Sequence, residues 1–278
     1  ATAARPDAPR RDAGAAAHAA AEASACLRRA RASGPNPTAR TLAAKTPAYP
    51  HFMLTLLFDI DGTLIRTHGA GKAAMEAALR RAFGVAHVND TVPYSGRTDR
   101  AIGRDLLAAH HLETTDENVR RLTDAYLAEL PEQLARLGGE VCPGVNQIVN
   151  SVHARTDVLL GLLTGNVRRG AAAKLTHFGL WHYFPFGGFG DDHFDRDDVA
   201  RSAVRSAEAH HGRAIDPKSV WVIGDSPLDI SCARAVGANV IAVATGWHTH
   251  TDLGTHKPDL LLHDLGDVTS LLQLWGLG

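Results

Sequence analysis

Cysteine is scarce in this chain of 278 residues: there are three, Cys26, Cys142 and Cys232, widely spaced and odd in number. That pattern suggests neither a disulfide framework nor a zinc site, and a reducing, cytoplasmic setting is the default expectation. Excess charge is also lacking, since 29 Lys and Arg against 30 Asp and Glu leave a formal net charge of −1. Without a basic or acidic field, neither nucleic acid nor a membrane surface is an expected partner. No apolar run reaches the span of a transmembrane helix. Histidine is the exception, with sixteen residues. His110-His111 and His210-His211 follow helical segments, and His248 and His250 read as loop polar groups, so none is assigned to a site.

Residues 1–52 lack the aromatic and branched side chains needed to offset ordering entropy and are rich in Ala and Arg, which suggests a disordered or frayed extension. An Arg-rich, acid-poor start also fits an organelle transit peptide. A start at Met53, immediately before the first strand-like run, is a third reading.

Chemistry is concentrated in a few strings. Met53-Leu-Thr-Leu-Leu-Phe-Asp-Ile-Asp-Gly-Thr-Leu64 is an apolar run that ends in two carboxylates, Asp59 and Asp61. A nearly continuous apolar run suits a strand buried on both faces of a parallel sheet. Such a strand delivers its last residues to the carboxyl edge, where open α/β folds bind ligands. Carboxylate oxygens there suit Mg²⁺, and a carboxylate can attack phosphorus. The same residues also suit a plain strand end with a solvated Asp-Gly turn. Val158–Asn166 is a second apolar run, ending in Thr164-Gly165-Asn166. Val220–Asp229 is a third, ending in Gly-Asp225 with Asp229 one helical turn further on. Each ending also fits the start of a helix.

In that order and setting, the strings resemble the motifs of the haloacid dehalogenase-like (HAD) hydrolase superfamily. The resemblance covers about residues 53–278 and implies a doubly wound parallel α/β sheet with a Rossmann-like core. It implies that Asp59 is the nucleophile and Asp61 the proton donor. Thr164, with amides near Gly165 and Asn166, would bind phosphoryl oxygens. Mg²⁺ would be held by Asp59, Asp61 through its backbone carbonyl, and Asp225, with Asp229 as a water-mediated ligand or an orienting group. The family's cationic motif lacks its usual Lys-Pro here. Arg196, in Asp191-Asp-His-Phe-Asp-Arg-Asp-Asp-Val-Ala200, and Lys174, on the helix after Thr164, are the two choices.

Residues 69–140 read as helices: one stopping at Gly84, one over 97–111, and one over 114–137 opened by a Thr114/Glu117 capping box. Their place resembles the α-helical C1 cap of HAD phosphatases, so residues 53–68 and 141–278 would form the core. Tyr94-Ser-Gly-Arg-Thr-Asp99 resembles the substrate-facing segment of phosphoglycolate phosphatase-like members, where Arg97 would grip an anionic leaving group.

The expected activity is Mg²⁺-dependent hydrolysis of a small phosphorylated metabolite through an aspartyl-phosphate. Asp61 argues against a dehalogenase, which has no leaving alcohol to protonate. A sugar-phosphate mutase is the nearest rival, and a non-catalytic binder of phosphorylated ligands is a more distant one.

Overall fold

The computed structural model describes residues 53–89 and 91–278, so the readings made for residues 1–52 lie outside the described residues. Strand β1 (Leu54–Phe58) is wholly buried, as its run of Leu and Phe requires. Burying each of those large side chains contributes roughly 2 kcal/mol before ordering entropy is set against it. A short strand β2 (Ile65–Arg66) leads into three helices, α1 (Ala70–Phe83), α2 (Asp99–Ala109) and α3 (Asp116–Leu137). Strand β3 (Glu140–Val141) then returns the chain antiparallel to β2.

The chain continues as alternating units: α4 (Val145–Val152), β4 (Val158–Leu163), α5 (Arg168–His177), β5 (Phe186–Gly188), α6 (Arg196–His211) and β6 (Val220–Gly224). It ends with α7 (Pro227–Ala235), β7 (Asn239–Val243), α8 (His250–Thr255), β8 (Leu260–Leu262) and α9 (Val268–Leu274). The main sheet is parallel throughout, in the order β5-β4-β1-β6-β7-β8. This is the expected doubly wound α/β core, because strands joined through helices must pair in parallel.

Among the described residues, three apolar clusters hold the structure together. One face of the sheet packs Leu56, Phe58, Leu160 and Ile223 against α4, α5 and α9. The other packs Leu57, Leu163, Val222 and Val240 against α6 and α7. The third lies among the inserted helices, where Met75, Leu79, Leu106, Leu122, Tyr126 and Leu130 meet.

Three details differ from the sequence reading. The α3 cap is Thr115, whose hydroxyl accepts from Asn118 N at 3.2 Å. Thr114 lies one residue outside, and Glu117 falls at the second helical position, so the expected box does not form. His250 opens α8 rather than lying in a loop. Helices α4, α8 and α9, of eight, six and seven residues, carry too few turns for periodicity to reveal them. Among the described residues, no helix is long and apolar enough to cross a membrane.

Candidate active site

Sheet register brings the predicted strings together. Phe58 pairs with Leu162 on one side and Ile223 on the other, so residues following all three leave the same carboxyl edge. Asp59 remains tied to the sheet by its amide, which donates to Ile223 O at 2.9 Å. The chain then turns at Gly62, where φ is 86°. That conformation favours glycine.

Two connected charge clusters result. In the deeper one, the carboxylates of Asp59, Asp225 and Asp229 each offer an oxygen within 4.8 Å of the others. Arg196, at the start of α6, reaches into this group. Its Nη2 lies 2.9 Å from Asp59 Oδ1 and 2.5 Å from Asp229 Oδ1. The other oxygen of Asp229 accepts from Ser226 N at 3.0 Å and Ser226 Oγ at 2.7 Å. Ser226 in turn caps α7 through Asp229 N, completing a capping box. Both oxygens of Asp229 are thus engaged, which favours its orienting role over direct coordination. Asp225 Oδ1 accepts from Thr63 Oγ1 at 3.3 Å.

The second cluster surrounds Asp61, whose side chain is 41% exposed while that of Asp59 is 7% exposed. Lys174 Nζ donates to Asp61 Oδ2 at 2.6 Å and to Asn166 Oδ1 at 2.7 Å. Asn166 Nδ2 bridges Asp61 Oδ2 and Thr164 Oγ1, both at 2.8 Å. Thr164 Oγ1 also accepts from Asn166 N at 3.3 Å. Within these bonds the Thr164 hydroxyl is only an acceptor, so its proton is left to donate to a further group. Arg196 and Lys174, alternatives in the sequence, therefore both reach the site, one on Asp59 and the other on Asp61.

Electrostatics follow from burial. Removal from water pushes the Asp59 carboxyl up to about 6; Arg196 opposes this, while Asp229 and Asp61 add to it. Burial, reinforced by Asp229 and Asp59, raises Asp225 well above the usual carboxylate range, against the pull of Arg196 and Thr63. Burial alone would lower the Arg196 guanidinium, but Asp229 and Asp59 hold it well above its ordinary value. Three converging acids with one guanidinium among them leave negative charge in a site shielded from water. That donor set of hard oxygens fits a divalent cation.

Arg97 takes a different place. Its Nη2 pairs with Asp105 Oδ2 at 2.5 Å and its Nη1 donates to Pro93 O at 3.1 Å, both within the insertion. It borders a cavity of about 310 Å³ shared with Phe194, Arg196 and Leu228. Gly165, expected near a phosphoryl group, also has a packing reason to be glycine. A Cβ there would lie 2.0 Å from Arg97 O, so only glycine lets the insertion approach this closely.

The sequence reading assigned no role to Asp99, the first residue of α2. Its amide donates to Gly165 O at 2.8 Å, and its Oδ2 accepts from Val167 N at 2.9 Å, at the start of α5. Burial pushes its carboxyl up to about 6, although Lys174 and the Val167 amide oppose the rise. A folded-state value above the unfolded one means that this group's contribution is fully present below about pH 4 and is lost as pH rises through about 6. Asp99→Asn keeps an acceptor for Val167 without the buried charge. Its melting temperature should therefore exceed that of the parent at pH 8, by a few kcal/mol in stability at most, and match it near pH 4. Parallel thermal melts at the two pH values check this.

The haloacid dehalogenase-like hydrolase family model matches residues 56–234, a span that contains both clusters. The chain belongs to this family. Among curated proteins, the HAD hydrolase is 26% identical over 227 residues to Probable phosphatase IndB of Dickeya dadantii, covering 77% of this chain and 90% of that protein. It is 24% identical over 238 residues to phosphoglycolate phosphatase of Escherichia coli, covering 78% and 91%. A predicted phosphoglycolate phosphatase from Haemophilus somnus superposes with a TM-score of 0.63 at 19% identity, covering 81% of this chain and 100% of that one. CbbY from Rhodobacter sphaeroides, solved in complex with phosphate, gives 0.62 at 19% identity, covering 78% and 96%. At these identities, the structural likeness establishes the fold alone. The expectations of a HAD hydrolase of the phosphatase type, with an α/β core and an inserted helical cap, are met.

Proposed function

We propose that this HAD hydrolase is a Mg²⁺-dependent phosphatase that cleaves small phosphomonoesters through a phospho-aspartate on Asp59. The observation that carries this reading is Asp59 at the strand tip, ion-paired to Arg196 and grouped with Asp225, while Asp61 stands in a second, wetter cluster two residues along. Two carboxylates with different surroundings suit two roles. Asp59 attacks phosphorus in line. Asp61 gives its proton to the leaving alcohol, then takes one from water as that water hydrolyses the phospho-aspartate. Lys174 and Asn166 hold Asp61 in place throughout. Thr164 donates its hydroxyl proton to a phosphoryl oxygen, and Arg196 holds Asp59 against the approaching dianion.

Mg²⁺, held by Asp59, the Asp61 carbonyl and Asp225, would neutralise charge on the phosphoryl group. The names of the similar proteins support phosphoglycolate as the first substrate to try. The helical cap reaches Gly165 and Val167 through Asp99, which supports a role for it in excluding water during the reaction.

A panel of phosphate esters assayed with Mg²⁺ and with EDTA tests the reading. Phosphate release should depend on the cation, fall below detection in EDTA, and return when Mg²⁺ is restored in excess. Release unchanged by EDTA sinks the cation assignment. No release from any ester leaves phosphoester hydrolysis without support.

A further inference from the structure

The Asp225 carboxylate is boxed in by backbone from two directions. A Cβ built on Gly62 would lie 2.5 Å from Asp225 Oδ2, and one built on Gly246 would lie 1.7 Å from the same oxygen. Gly62 needs glycine for its positive φ in any case, whereas Gly246 does not adopt a positive φ. An alanine at 246 is therefore acceptable to the backbone and is excluded by the carboxylate itself. Gly246 lies in the loop after β7, outside the strings that the sequence marked as chemical.

That loop is pinned from both sides. Thr245 is 4% exposed, and its Oγ1 donates to Gly62 O at 2.5 Å. Arg66 Nε, on β2, donates to Thr245 O at 2.7 Å, while Arg66 Nη1 pairs with Glu140 on β3 at 3.2 Å. The two strands that lead into and out of the helical insertion are thus tied to the backbone that presses on Asp225. A buried carboxylate with room to rotate would turn away from the neighbouring carboxylates of Asp59 and Asp229. The glycine walls and the Thr63 hydroxyl remove that freedom.

We propose that Gly246 and Thr245 are positioning residues for Asp225, fixing its carboxylate in the orientation that takes up the cation. This rests on the reading of Asp225 as a ligand, and its test does not need turnover. Mn²⁺ binding to the full chain is followed by electron paramagnetic resonance of the free ion, with Mg²⁺ as competitor. Gly246→Ala should bind Mn²⁺ at least tenfold more weakly while keeping its circular dichroism spectrum. Its KM for the ester at saturating cation should stay within about twofold of the parent. A folded Gly246→Ala that binds Mn²⁺ like the parent overturns the proposal.

If Gly246→Ala does not fold, Thr245→Val decides, since it keeps the buried shape and removes the bond to Gly62. Binding should weaken at least threefold in Thr245→Val and recover in Thr245→Ser, which restores the donor. Unaltered Mn²⁺ binding in Thr245→Val overturns the positioning role. A parent protein that binds no Mn²⁺ overturns the cation reading itself, a result distinguishable from failure of the clamp alone.

Discussion

Asp59→Asn should abolish phosphate release, by at least ~10³-fold in kcat, while the chain stays folded. The substitution preserves shape and removes the attacking oxygen's charge, so the loss falls on the chemical step. Substrate should still bind, because the Thr164 hydroxyl proposed to hold the phosphoryl group is untouched. The variant also carries a stability signature. Burial raises the Asp59 carboxyl to about 6, so its contribution to folding is complete below about pH 4 and declines as pH passes through 6. In EDTA at pH 8, Asp59→Asn should therefore melt above the parent by an amount equivalent to a few kcal/mol, and near pH 4 the two should converge. Added Mg²⁺ should raise the parent's melting temperature more than the variant's, by mass action on the folded state. Substantial turnover by a folded Asp59→Asn would remove Asp59 as the nucleophile. Equal melting at pH 8 would show that Asp59 is less enclosed than the structure has it.

The burial behind these pH effects is a property of the folded chain that the sequence does not display. Asp59, Asp61, Thr164 and Asp225 were legible because each ends an apolar run, and parallel strands of such runs deliver their ends to one edge. The sequence likewise located the helix ending at Gly84, whose φ of 71° suits the glycine there. Residues whose importance arises from chain segments far apart were not legible. Asp99 is only the last residue of the Tyr94–Asp99 string until the insertion folds back and places it on Val167 N, 68 positions away. Gly246 reads as loop punctuation until the β7 loop meets Asp225.

Ser226-Pro-Leu-Asp229 has the spacing of a capping box, which signals that Asp229 turns one oxygen back towards its own helix start. The choice between Arg196 and Lys174 was posed as exclusive because a one-dimensional motif has one cation slot. In three dimensions each of the two acids receives its own cation, Arg196 on Asp59 and Lys174 on Asp61.

The second large effect concerns Arg196 and acts on stability and turnover together. The guanidinium is 4% exposed and pairs with Asp59 and Asp229, which are themselves buried. Arg196→Met keeps much of the side-chain volume and removes the charge, leaving buried acids without that partner. Breaking a buried pair from one side costs about 3–5 kcal/mol, because the stranded charge keeps its desolvation penalty. That figure is a sizeable fraction of a domain's total stability, so the variant should melt far below the parent at pH 8. The deficit should shrink as pH falls, since Asp59 and Asp225 already have raised pKa values and protonate readily once the cation is gone. Arg196→Lys should recover part of the stability, because both carboxylates meet the one nitrogen Nη2 and an ammonium also donates to several acceptors from one nitrogen.

Lys174→Met provides the contrast. Its partner Asp61 is 41% exposed, so solvent screens the stranded charge and the melting temperature should fall by less. Its main effect should be on the leaving-group step, through a misplaced Asp61. Esters with poor leaving groups should therefore slow more than activated aryl phosphates, which need little protonation. If Arg196→Met melts like the parent, the buried ion pair is not a principal support of the site. If Lys174→Met slows every ester equally, Asp61 does not depend on Lys174 for its proton transfer.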